Sequence, residues 1–80
     1  MKYYITCGAV RWVVGDCESS HDAARLFCHA FRSRVAELAD EVVVSERGFR
    51  SEWARDALCF DLGSILAENA EERRRRAEGL

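Results

Sequence analysis

Apolar and polar positions along this chain change period three times, and each change marks a new kind of element. Lys2 to Cys7 and Val10 to Gly15 are rich in aromatic and β-branched residues and are separated by Gly8-Ala9. Glycine at the first central position suits a two-residue type II′ turn, so the pattern predicts a β-hairpin. That turn sets Cys7 opposite Val10, Ile5 opposite Trp12, and Tyr3 opposite Val14. The six residues share one wholly apolar face, which should be core. The other face holds Tyr4, Thr6, Arg11 and Val13. Turn chemistry and alternation agree on a single register.

The period then lengthens. Ala24, Phe27, Cys28, Phe31 and Val35 recur at helical spacing, with Ala23, Leu26 and Ala30 widening the stripe. Asp22, Arg25, His29, Arg32 and Ser33 fall opposite. This is the signature of an amphipathic helix lying on a sheet. Ser20 is the expected N-cap, with Asp22 in the first turn where the helix dipole favours negative charge. The stripe carries the expected helix from about residue 20 to at least Arg34, and Leu38 extends it.

Period two returns at Glu41 to Glu46, a third strand bounded by Arg47-Gly48, and at Ala57 to Phe60, a short fourth strand. Asp61 can then cap a second helix whose Leu62, Ile65 and Leu66 reach the core, with Gly63 weakening its start. Beyond Leu66 the apolar stripe stops. The expected architecture is α+β, a small two-layer sandwich. An antiparallel four-stranded sheet carries two helices on one face, in the order ββαββα. One globular domain should span residues 1–67, with 68–80 a solvated, charged C-terminal helix extension or frayed tail. The halves are loosely similar ββα units, too dissimilar residue by residue to be an internal repeat.

Composition narrows the function classes. The chain has 80 residues, enough for one domain with a single small core, and 49% of them are hydrophobic. Its formal net charge of −2 gives no global attraction to nucleic acid or to an anionic membrane. No run approaches the roughly 18 apolar residues of a spanning helix. The first residues are too soon interrupted by Arg11 to form a secretory signal, so a cytoplasmic protein is expected. Cys7, Cys17, Cys28 and Cys59 show no C-x-x-C spacing and read as reduced, core-filling thiols.

Candidate chemistry is sparse. The serines sit in no nucleophile-elbow, P-loop or β-lactamase-like context, and so small a fold can enclose only a small pocket. Neither an enzyme, a cofactor nor a small-molecule substrate is indicated. Cys28 and His29 diverge by about 100° on the first helix, and Cys17 with His21 would make only half a metal site, so no metal is expected.

Arg47 to Arg55 is the exception. Here Arg47, Phe49, Arg50, Trp53 and Arg55 interleave cations with large aromatics, a composition enriched at protein-binding hot spots. Either Phe49 and Trp53 plug the core, or they face a partner. Glu46, Glu52 and Asp56 match the three arginines charge for charge, which weakens a polyanion reading. The expected function is therefore a small protein-interaction or regulatory module. Its partner would be another protein or a second copy, bound through this loop or through an exposed sheet edge. The alternative is a nucleic-acid-binding domain. It would use the same loop, the outer face of the first helix (Arg25, His29, Arg32) and the run Arg73, Arg74, Arg75, Arg76. Glu71 and Glu72 precede that run at spacings that pair them with Arg75 and Arg76, which argues for a solvated helix. No resemblance to a known family reaches the level of a motif.

Overall fold

The structure, a computed structural model, describes residues 2–49 and 57–79. Its elements are β1 (Tyr3–Cys7), β2 (Val10–Val14), α1 (Ser20–Ala30), β3 (Glu41–Ser45), β4 (Leu58–Asp61) and α2 (Leu62–Glu78). The order is ββαββα, and the strands form one antiparallel sheet in the order β2-β1-β3-β4. The expected fold class is the observed one. The strand order is new information: β1 and β3 are central, and β2 and β4 are the edges.

The first hairpin has the expected register, with Tyr3 paired to Val14, Ile5 to Trp12 and Cys7 to Val10. Gly8 sits at φ 61°, and Ala9 keeps a negative φ, as a type II′ turn requires. Gly8 has a second reason to lack a side chain. A Cβ there would collide with the backbone carbonyl of Leu38, which closes over the hairpin tip.

One face of the sheet and both helices enclose the core. Tyr3, Ile5, Cys7, Val42 and Val44 meet Ala23, Ala24, Phe27, Cys28, Leu62 and Ile65, all almost wholly buried. On edge strand β2, Val10 and Trp12 are only partly buried, because a sheet edge has a neighbour on one side alone. Trp12 recovers contact through its ring, tilted against Phe27 at 5.8 Å and edge-on to Phe31 at 5.5 Å.

Helix α1 departs from expectation in three ways. Its N-cap is Ser19, not Ser20; the Ser19 hydroxyl accepts the Asp22 N–H at 3.1 Å. It ends at Ala30, short of Arg34. Eleven residues span about 16 Å, close to the ~17 Å of the five-residue strands beneath. Past that length the chain tightens instead of running off the sheet. The Phe31 carbonyl accepts the N–H of both Arg34 and Val35, and a 3₁₀ turn at Val35–Glu37 follows. This tightening buries Val35 completely and still brings Leu38 against the core. Lastly, Leu26 and Ala30 do not widen the buried stripe: Ala30 is exposed, and Leu26 is 43% exposed.

Strand β3 stops at Ser45, and β4 lies one residue later than expected. Asp61 caps α2 as expected, its carboxylate accepting from both the N–H (3.0 Å) and the hydroxyl (3.1 Å) of Ser64. The helix then continues to Glu78, through the segment expected to be a solvated extension or a frayed tail.

Candidate interaction surfaces

Two surfaces bring together candidate side chains that are distant in sequence. The first is the outer face of the sheet. Pairing places Val13, Tyr4 and Ser45 in one row across the strands, and Arg11, Thr6, Val43 and Cys59 in the next. A solvated antiparallel face normally presents polar residues at these positions. Here Tyr4 and Val43 are half-buried, and Val13 is 44% exposed.

The start of the arginine-aromatic loop folds onto this face, and the cause is local. Ser45 points outward beside Tyr4, and its hydroxyl accepts the Arg47 N–H at 3.1 Å. That two-residue hydrogen-bonded turn redirects the chain at the end of β3. Gly48 continues the reversal at φ 143°, a conformation that favours glycine. Phe49 is thereby laid against Tyr4, ring centroids 5.2 Å apart and nearly perpendicular, with the Arg11 guanidinium 5.8 Å over its ring. Phe49 does not enter the helix-covered core, and it is not free in solvent. It covers the second face of the sheet and remains partly exposed. Arg50, Trp53 and Arg55 lie outside the described residues.

The second surface is the seam between α1 and α2, which run parallel to each other. His21 pairs with Glu68 at 2.7 Å, Arg25 with Asn69 and Glu72, and His29 lines the same groove as Arg73 and Arg76. Two basic stretches 44 residues or more apart in sequence, Arg25 with His29 and Arg73 with Arg76, therefore converge. Arg32 lies past the end of α1 and does not line this groove. The convergence is largely neutralised. Glu72 holds both Arg25 and Arg76, Glu71 holds Arg75 at 2.8 Å, and Asp22 lines the groove. Among the described residues Arg73 and Arg74 make no ion pair.

Asn69 is the residue sequence reasoning missed. It is 8% exposed and sits in the stretch expected to be solvated. Its side-chain oxygen accepts from Arg25 Nε at 3.2 Å, and its amide nitrogen donates to the Arg25 carbonyl at 3.0 Å. The available signal was spacing: Asn69 follows Ile65 by four and so continues the buried stripe of α2 with a polar residue.

The remaining chemistry is quiet. All four cysteines are free, and Cys7 and Cys28 are buried. Burial, and then the neighbouring Cys7, push the Cys28 thiol up to about 11, far from any reactive thiolate. No cluster of three His, Cys, Asp or Glu side chains among the described residues could hold a metal ion. No described helix is long and apolar enough to cross a membrane. Comparison with protein-family models, with curated proteins and with solved structures found no match to this chain.

Proposed function

We propose that this chain is a small protein-interaction or regulatory module without catalytic activity, built around an open sheet. The observation that carries the reading is large apolar surface left uncovered where the sheet could be extended or capped. Leu58, on edge strand β4, is 54% exposed although it sits on the core side of the sheet, and Val13 on the outer face is 44% exposed. Beside Val13 lie Tyr4, Phe49 and Arg11, the residue types that dominate protein-binding hot spots. Arg47 and Phe49 then act as the near end of a contact surface that includes the rest of the 47–55 loop.

Mass in solution over a concentration series tests the self-association part. A reversible dimer is expected, and a monomer at high micromolar concentration removes that part. For a heterologous partner, the immobilised chain is compared with its folded Phe49→Ala and Val13→Lys variants. A protein retained by the wild type and lost from both variants marks the outer face as its site. Equal retention by all three excludes that face.

A second reading, nucleic-acid binding, is favoured by the convergence of Arg25, His29, Arg73 and Arg76 on one groove. Against it stand the carboxylates of Glu72 and Asp22 in the same groove and the net charge of −2. Retention on heparin at low salt, where phosphate-type contacts are strongest, decides it. Elution in the flow-through ends this reading.

A further inference from the structure

We infer that β4, an edge strand among the described residues, is where two copies of this chain join, their β4 strands antiparallel about a two-fold axis through Cys59. The inference deepens the self-association part of the interaction reading and rests on it.

A second copy fits this edge because the strand is complementary to itself. Directly opposite residues of an antiparallel pair point to the same face. A two-fold axis on a residue therefore keeps the helices of both copies on one side, whereas an axis between residues would place core-facing positions opposite outward ones. Centring the axis on Cys59 pairs every residue of the strand. Leu58 of each copy meets Phe60 of the other, and Cys59 meets Cys59. Asp61 faces Ala57, with no like charges opposed. Leu58 and Phe60 both lie on the core side, since they pair with Val44 and Val42 of β3. The contact would thus cover the 54% exposed Leu58 and carry the apolar layer across an eight-stranded sheet.

The other edge is less suited to the same use. Strand β2 carries Arg11 at its second position, an exposed charge of the kind that protects edges from pairing. Strand β4 carries one charge, Asp61, at its end. Four residues make a short contact beside the interfaces of stable dimers, so the association expected is reversible and concentration-dependent.

The test combines sedimentation velocity with thiol cross-linking. Across an antiparallel pair the two Cys59 Cβ atoms would be about 5 Å apart, within reach of an ethylene-bridged bismaleimide that adds one thiol at each ring. The expected result is a dimer that cross-links in the wild type and in Cys17→Ser but not in Cys59→Ser. Leu58→Asp should weaken association at least tenfold while leaving far-UV circular dichroism unchanged. Amides of β4, not β2, should gain exchange protection as concentration rises. The wild-type cross-link and the exchange pattern stand without the variant, should Leu58→Asp fail to fold. A sedimenting dimer whose cross-linking ignores Cys59, or whose protected amides lie on β2, overturns the β4 interface and leaves self-association standing. A monomer at high micromolar concentration overturns both.

Discussion

The side chain of Asn69 on α2 grips Arg25 on α1 at two points, accepting from its Nε and donating to its backbone carbonyl. The grip crosses the helix pair just where the apolar stripe of α2 ends, and Asn69 is nearly buried there. Removing it leaves a partly buried guanidinium and a carbonyl short of a partner. Asn69→Ala is expected to cost about 1–3 kcal/mol, the usual loss when a buried polar partner is deleted. Urea unfolding reads the change. A double-mutant cycle with Arg25→Ala should show coupling of at least about 0.5 kcal/mol, because the two side chains share bonds. An additive result would mean that the two act separately.

The ion pairs around that grip are expected to contribute much less. Glu68, Glu71 and Glu72 hold their partners on a surface open to water. Glu71→Gln should change stability by about 1 kcal/mol or less, and the difference should shrink in high salt. A larger, salt-independent loss would show that Glu71 has a structural role beyond its pair with Arg75.

Gly8 is expected to be the least replaceable residue of the hairpin. Gly8→Ala meets two penalties at once, a left-handed backbone and a collision with the Leu38 carbonyl. The left-handed conformation alone costs about 1–2 kcal/mol for a residue with a Cβ, so the total should exceed that. Thermal unfolding monitors it. A loss below ~1 kcal/mol would mean that the Leu38 turn can withdraw from the hairpin tip without consequence.

Stability should fall on the alkaline side. Burial holds the Cys28 thiol at about 11 against an ordinary value of 9.0, so the unfolded chain releases this proton first. The folded state then binds more protons than the unfolded one between those values, and stability declines as pH rises through that window. Tyr3, raised chiefly by burial, and Cys7, raised by burial, act in the same direction. Cys28→Ala, compared with wild type by urea unfolding at pH 8 and at pH 10.5, should flatten part of the decline. An unchanged slope would assign the alkaline loss to other groups.

The two helix caps separate what local sequence specifies from what it leaves open. Asp61→Ala and Ser19→Ala should each cost about 1 kcal/mol, as lost N-caps do. Asp61 was legible because one capping residue stands directly before an apolar run. Ser19 and Ser20 are adjacent and equally good caps, and choosing between them requires knowing which residue turns out of the helix.

The same division runs through the whole molecule. Sequence alone determined the element order, the hairpin register, the faces of β1 and β2, and the start of α2. Each depends on interactions within a few residues: turn chemistry, alternation and capping. Tertiary structure decided the rest. The order β2-β1-β3-β4 depends on which strands meet across long connections, and no local pattern encodes that. Helix α1 ended at Ala30, where the chain tightens about the Phe31 carbonyl, although Val35 keeps helical spacing and is still buried. Asn69 became part of the helix seam because Arg25, 44 residues away, came beside it. Phe49 was turned onto the outer face by Ser45, whose outward direction follows from the pairing of β3 with β1. Loop composition identified Phe49 as a residue to watch, and only the sheet gave it a surface to lie on.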